Sequence, residues 1–420
     1  MNKLKIAILT TFHSWDNAYS LTSVVEAQLE ALVKHGYNPI LFVLTSFKDD
    51  EQVPRGVELR KVIPQIVLVD YSGRQEPHAD FPQNVNKIYT ALKENTQDID
   101  IIIQHDLIFQ GWFLPHAVAI HRLANESNIK WFHWMHSCPS DRPNTDYPHS
   151  LRFTLPRNSK LVYLNNKHLI RAAEMYGVFP KDVRIIYNSV DPRLLWNFHP
   201  LIKDLIERYD LLSADYIDIY PVSTTRMVDG KQIKVVIEVM ASLKKLGKSI
   251  RLIVCNAHAN DKREKQVVSE VISFANQKGL SSNEIIFTSM ENIPDYELGV
   301  PREVVSQLFL LSNIFIFPSI SENCSLVLLE AMLSKNLLVL NDNPWLPFRE
   351  FAKENALYFD FGSAHSQVNH QNRDGFMLDV ARIINSEMST NKALNASTDL
   401  KKNFNYDIIF KQLENLFYEQ

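Results

Sequence analysis

Two cations, Arg226 and Lys231, follow the apolar run at 218–222 and stand directly before a helix-forming segment. A strand end that feeds a helix start is a place where side chains and free backbone N–H groups converge on an anion. Arginine offers a planar fork for two phosphate oxygens and lysine a point charge, so the pair suits a phosphate or diphosphate. The spacing alone is also that of two solvated surface cations. Two carboxylates, Glu322 and Glu330, form a second element with seven residues between them. Glu322 falls in the turn after the buried run at 314–317, and a helix is expected to start near Asn323. The backbone amides of Asn323, Cys324, Ser325 and Leu326 would then point at an anion. Glu330 lies about two turns into an apolar helix, where an unpaired carboxylate is costly. It therefore needs a partner: vicinal hydroxyls such as those of a ribose, or a neighbouring Lys or Arg.

Breaking a sugar–diphosphate bond requires that the departing charge be stabilised and the sugar ring be held. Fixed cations and helix amides can do this without a divalent ion. Asp98-Ile-Asp100, the one tidy acidic pair, begins a strand with no acidic companion nearby, so no metal site is expected. Cys138, Cys255 and Cys324 are scattered and offer neither a disulfide framework nor a zinc pair. Neither half carries G-x-G-x-x-G after its first strand or a P-loop, and the chain has 11 glycines, which argues against a dinucleotide-dependent dehydrogenase or a P-loop ATPase. In Trp131-Phe-His133-Trp-Met-His136 the residues alternate as in a strand. His133 is expected on one face, and His136 at the end is placed to line a crevice.

Short apolar runs alternate with longer amphipathic ones along the whole chain, as in parallel sheets wrapped by helices. In the first half, strands are expected at 5–12, 39–44, 100–103, 130–135, 160–164 and 183–187. Helices are expected at 21–35, 84–94 and up to residue 176, and 45–80 reads as loop with a short strand or two. The rhythm restarts at 218–222, with strands at 249–255, 284–288, 313–317 and 337–340. Helices fall at 231–246, 261–278, 302–310 and 325–334, and a last helix at 403–418 follows a polar stretch near 386–400. Two complete series predict an α/β chain with two doubly wound, Rossmann-like domains facing a central crevice: 1–195 on the acceptor side, 196–400 binding the donor, and 401–420 as a helix packing back on the first domain.

The second half resembles the family 4 glycosyltransferases (glycosyl transferases group 1), which have the GT-B fold and retain anomeric configuration. The E-x7-E element at Glu322 and Glu330 and the R-x4-K element at Arg226 and Lys231 carry the resemblance. In the first half, residues 183–192 resemble the family's strand ending in Asn-Gly-Val-Asp. Ile101-Ile-Ile-Gln-His105-Asp resembles its strand ending in His-x-His-[Asp/Glu]. The resemblance implies that Arg226 and Lys231 hold the donor diphosphate. It also implies that Glu322, with the amides after it, contacts the transferred sugar, that Glu330 binds the ribose, and that His105 sits under the anomeric centre. Retention would follow a front-face route needing no protein nucleophile, with Glu322 a rival nucleophile on chemical grounds. The chain departs from the family pattern at Glu322-Asn-Cys-Ser325, which stands for Glu-Gly-Phe-Gly, and at Gln104, which stands for the first His. The loop at 11–20 lacks the family's Gly pair; Trp15 and Asn17 in that loop, with His136, are the residues expected on the acceptor side.

Hydrophobic content of 45% with 22% charged residues is that of an ordinary globular chain, and 420 residues suffice for two cores. A formal net charge of −4 and pI near 6.4 give no global pull toward nucleic acid or anionic lipid. The sequence therefore points to sugar transfer from a UDP- or GDP-linked donor to a carbohydrate or lipid-linked acceptor, with no cofactor. The chain is expected in the cytoplasm, with peripheral attachment at the inner membrane surface left open. A phage-type DNA glycosyltransferase acting on a hydroxymethylated base is a second reading, against which the acidic pI weighs. A nucleotide-sugar-binding module without catalysis is a third. Sugar, base, acceptor and oligomeric state are not encoded in these patterns.

Overall fold

The computed structural model describes residues 4–16, 19–73, 76–142, 146–189, 192–221, 230–255, 262–291, 299–363, 373–404 and 408–409. The chain divides into two compact units, Met1–Leu195 and Trp196–Gln420.

The first unit runs β1 (Ile6–Leu9), α1 (Ser20–Lys34), β2 (Ile40–Leu44), β3 (Glu58–Ile63), α2 (Phe81–Asn95), β4 (Ile101–His105) and α3 (Leu114–Glu126). It continues through β5 (Lys130–Met135), β6 (Ser159–Tyr163), α4 (Leu169–Tyr176), β7 (Val183–Ile185) and the short α5 (Pro192–Leu195). Its seven strands are parallel in the order β3-β2-β1-β4-β5-β6-β7. Strands buried on both faces read as continuous apolar runs, which is why β1, β2 and β4 are legible as sequence. One face packs under α1 through Val25, Leu29, Ile8, Leu41 and Val43. The other packs under α2, α3 and α4 through residues such as Ile88, Ile102, Ala119 and Ala172.

The second unit runs α6 (Pro200–Tyr209), β8 (Tyr216–Tyr220), α7 (Ile233–Lys245), β9 (Ile250–Val254), α8 (Lys262–Gln277), β10 (Ile285–Phe287) and α9 (Arg302–Leu311). It continues through β11 (Ile314–Phe317), α10 (Leu326–Leu333), β12 (Leu337–Asn341), α11 (Phe348–Ala352), β13 (Ala356–Phe359), α12 (Arg373–Glu387) and α13 (Lys392–Asn403). Six parallel strands take the order β10-β9-β8-β11-β12-β13. Each sheet therefore reverses direction once, between β1 and β4 in the first unit and between β8 and β11 in the second. In such sheets, ligands bind beyond the C-terminal strand ends at that reversal.

Three departures from the sequence reading have physical reasons. Helix α3 carries no clear amphipathic stripe because it is buried nearly all round, His116 and His121 included. The polar stretch near 386–400 contains α13, which buries only Ala396, Ser397 and Leu400. It is tied down by Ser397 Oγ donating to the Leu333 carbonyl at 3.1 Å and by Asn355 donating to Asp399 at 3.1 Å. Helix α10 starts at Leu326 rather than near Asn323, because Ser325 is extended and takes the N-cap position. Most of the helix expected at 403–418 lies outside the described residues. Among the described residues no helix is long and apolar enough to cross a membrane.

Candidate functional site

In the second unit the loop after β11 and the start of α7 are stitched together by polar side chains. Gln232, at positive φ before α7, donates to the Pro318 carbonyl at 2.6 Å, and the Ile320 N–H donates to the Gly230 carbonyl at 3.1 Å. Asn341 ends β12 fully buried; its amide donates to the Ser319 and Gly362 carbonyls at 3.1 and 2.8 Å, and it accepts the Phe361 N–H at 2.9 Å. This frame brings two of the expected residues together: Lys231 forms an ion pair with Glu322. Lys231 Nζ also lies 5.2 Å from the Phe317 ring centroid, a cation–π arrangement. Both partners are largely buried, with 15% and 11% of their side chains exposed, so the pair is shielded from solvent rather than set on a solvated face.

Glu330 lies in the second turn of α10, half-buried, and its Oε1 accepts from Arg302 Nη2 of α9 at 3.3 Å. Of the two partners left open by the sequence, the cation is the one present. The Arg302 side chain is 82% exposed, so the contact is a weak surface bridge that a ligand can replace. Asn323 and Cys324 are exposed in the bend before α10, and Ser325 is buried at its N-cap without a side-chain capping bond. The N–H groups lacking a carbonyl one turn earlier are accordingly those of Leu326, Val327 and Leu328, shifted from the expected Asn323–Leu326 set. Arg226 lies outside the described residues.

In the first unit the β1/β4 reversal opens a cavity of ≈ 290 Å³ lined by Thr10, Thr11, Tyr19, His105, Asp106 and His136, among others. His105 ends β4 and is 3% exposed. Its Nδ1 lies 2.9 Å from His136 Nε2 and its Nε2 lies 3.1 Å from Gln28 Oε1 on α1. Burial first, and His136 second, hold the His105 ring down to about 3, so it is neutral. His136 is half-buried and is lowered by burial, with Asp106 pulling the other way. Asp106, at φ 56°, accepts from the His136 N–H at 2.9 Å, from Ser137 Oγ at 2.9 Å and from Gln110 at 3.1 Å.

One further expectation is corrected by packing. Trp15 is core rather than acceptor-side: it is buried edge-on against Phe12, with its backbone N–H donating to Asp49 at 2.6 Å. Asn17 lies outside the described residues. Gln104 does not line the cavity; it spends its amide on His133 Nδ1 and its carbonyl on the Leu107 N–H, each at 2.6 Å. His133 is itself fully buried, with Nε2 2.9 Å from Ser159 Oγ. Asp98, held by Arg60 and Lys5 at 2.9 Å each, lies just before β4, at the opposite end of the sheet from the cavity. Among the described residues, no group of three or more His, Cys, Asp or Glu is arranged to hold a metal ion.

Sequence reasoning did not single out Gln28, Gln232 or Asn341. Only Asn341 left a signal, a polar residue closing an otherwise apolar strand.

Two family models match the chain: Glycosyltransferase Family 4 over residues 21–194 and Glycosyl transferases group 1 over 218–373. No curated protein matches it. Among solved structures, a glycosyltransferase from Rickettsia africae is 16% identical, with 99% of this chain and 98% of that chain covered and a TM-score of 0.38. Anabaena Alr3699/HepE in complex with UDP and glucose is 14% identical, with 100% of both chains covered and a TM-score of 0.39. WaaG, a glycosyltransferase involved in lipopolysaccharide biosynthesis, is 14% identical, with 99% and 100% covered and a TM-score of 0.36.

Proposed function

This chain belongs to the family 4 (group 1) glycosyltransferases of GT-B fold, and from that premise we propose that it moves a sugar, with retention, from a UDP- or GDP-linked donor to a carbohydrate or lipid-linked acceptor. The observation that carries the reading is the Lys231–Glu322 pair at the C-terminal end of β11, beside the β8/β11 reversal. A cation for phosphate and a carboxylate for sugar hydroxyls stand side by side there, largely shielded from water, where electrostatic interactions are strong.

In this reading the donor diphosphate lies against Lys231 and Arg226 and against the N–H groups that open α10. When it arrives, Lys231 exchanges Glu322 for phosphate oxygens, and Glu322 turns to the hydroxyls of the transferred sugar. Glu330 exchanges the exposed Arg302 for the ribose diol. The leaving diphosphate is stabilised by these fixed positive groups, so the reaction is metal-independent.

His136, rather than His105, is assigned to the sugar or acceptor. Both rings line the cavity, but His105 is buried with both of its ring nitrogens engaged, whereas His136 is only half-buried. Transfer follows the front face. The acceptor oxygen bonds to the anomeric carbon on the side from which the phosphate oxygen departs, and that phosphate oxygen takes the acceptor proton. The first unit then serves the acceptor, the second the donor, and the enzyme works in the cytoplasm.

A thermal-shift panel of UDP, GDP, ADP and their sugars, run with and without a chelator, tests the donor side. One nucleotide should raise Tm by linkage, equally in both conditions. An Arg226→Ala variant that binds that nucleotide as tightly as wild type, or transfer that disappears with chelator and returns with manganese, sinks the phosphate assignment. The anomeric configuration of the product, read by NMR, decides retention.

A further inference from the structure

The partners of His105 fix which ring nitrogens carry hydrogen. Gln28 presents its carbonyl oxygen to His105 Nε2, so Nε2 is the N–H donor. A neutral imidazole has one N–H, which leaves His105 Nδ1 bare. It must accept from His136, whose Nε2 lies 2.9 Å away. Neutral His136 is then protonated at Nε2 and bare at Nδ1. Around the pair, α1 supplies Gln28, the residue after β4 supplies the Asp106 carboxylate, which holds the backbone N–H of His136, and the segment before α1 supplies Tyr19.

We propose that Gln28 is a positioning residue: its carbonyl sets the tautomer of His105 and, through it, that of His136, so that His136 meets a substrate hydroxyl in the cavity as a hydrogen-bond acceptor. The inference rests on the assignment of His136 to the substrate made above. Reversing the Gln28 amide would reverse every donor in the chain and offer the substrate an N–H instead. A side chain 77 residues from His105 in sequence, with no direct part in the reaction, thus selects the polarity of the group that meets the substrate.

Ring-nitrogen NMR of the full chain labelled in histidine tests the tautomer: His136 should be protonated at Nε2 and bare at Nδ1, and the opposite pattern overturns the proposal. Gln28→Leu should mix the tautomers and lower the transfer rate about tenfold, the usual scale for losing a residue that orients a working imidazole. Its affinity for UDP should be unchanged. Gln28→Glu provides an independent readout should the leucine variant fold poorly. Near neutral pH the introduced carboxylate still accepts from His105 Nε2–H and transfer continues. As pH falls, His105 takes up a proton beside that carboxylate, donates from Nδ1 to His136 and forces His136 to the other tautomer. The acidic limb of the Gln28→Glu profile should therefore begin at a higher pH than the limb that protonation of His136 gives wild type, and a profile superimposable on wild type overturns the proposal. His136→Ala separates the two levels. Full transfer by that variant sinks the assignment of His136 itself. Loss of transfer, with Gln28→Leu at wild-type rate and tautomer, sinks only the role of Gln28.

Discussion

The carboxylate of Asp106 accepts the backbone N–H of His136 at 2.9 Å, so the residue that follows β4 fixes the residue that follows β5. The same carboxylate takes the Ser137 hydroxyl at 2.9 Å and the Gln110 amide at 3.1 Å. Its backbone at φ 56° is a conformation that Asp and Asn tolerate better than other non-glycine residues. Adjacent parallel strands end side by side, and a short acceptor at one end is the simplest clamp on the next.

Asp106→Ala should therefore cost about 1–3 kcal/mol of stability, from donors left without an acceptor. Transfer should fall about 10- to 100-fold, with affinity for the donor nucleotide unchanged. Asp106→Asn, which keeps one acceptor oxygen and the backbone preference, should fall between wild type and Asp106→Ala. Calorimetry of the nucleotide that the thermal-shift panel identifies, beside steady-state kinetics, makes the comparison, and an equal loss in both would place Asp106 in the donor site instead.

Lys231→Met should weaken nucleotide binding about 10- to 140-fold, the value of a charge-assisted hydrogen bond of about 1.5–3 kcal/mol. It also strands the Glu322 carboxylate, so Tm should drop. The double variant Lys231→Met with Glu322→Gln should recover much of that Tm without recovering activity, because no carboxylate is then left uncompensated. Glu322→Gln alone should leave binding of the donor nucleotide near wild type and lower transfer. A Lys231→Met variant that loses no affinity contradicts the phosphate role of the lysine.

Arg302 and Glu330 test whether their bridge is structural. Arg302→Ala should change stability by no more than about 0.5 kcal/mol, as expected for an exposed pair, and should leave affinity for the donor nucleotide the same or slightly tighter. Glu330→Ala should weaken that nucleotide about tenfold or more through loss of a charged hydrogen bond. Equal small effects from both substitutions would reduce Glu330 to a surface partner of Arg302.

Asp218, in the middle of β8, is fully buried; one carboxyl oxygen accepts the Ile316 N–H at 3.3 Å, and the other has no partner among the described residues. Burial raises its folded pKa well above the ordinary carboxylate range, with backbone bonds from Ile316 and Ile219 opposing in part. The folded state then holds a proton that the unfolded chain releases above about pH 4. Stability from this group is full below that pH and declines as pH rises toward the folded value. Asp218→Asn removes the slope, so its Tm advantage over wild type should grow from pH 5 to pH 8. A constant difference across that range would mean that Asp218 is ionised in the fold.

Asp98 behaves with the opposite sign. Hydrogen bonds from Arg60 first, and then Lys5, hold its carboxyl well below the usual range. Its contribution is present above about pH 4 and is lost as pH falls toward the folded value. Asp98→Asn should flatten the acid side of the stability curve. Transfer should be unaffected, because the residue lies away from the C-terminal strand ends. A chelator-sensitive loss of transfer in this variant would restore a metal role to Asp98-Ile-Asp100.

The amino-acid sequence by itself determined the two α/β series and the segments bearing Lys231, Glu322 and Glu330. Buried parallel strands are continuous apolar runs, and chemistry-bearing residues follow them at fixed offsets. It could not show α3, whose all-round burial erases the helical period, or α13, whose apolar stripe is narrow. It favoured His105 over His136, because His105 falls on the strand that resembles the family's His-x-His element. The fold lays α1 over the end of β4, where Gln28 and His136 both reach the His105 ring, and leaves His136 half-buried; the proposal that His136 meets the substrate rests on that contrast. The same kind of contact turned Trp15 into core and gave Glu330 a cation from another helix. Such outcomes depend on side chains brought together from strands and helices far apart in sequence, and no local period or spacing carries that distance.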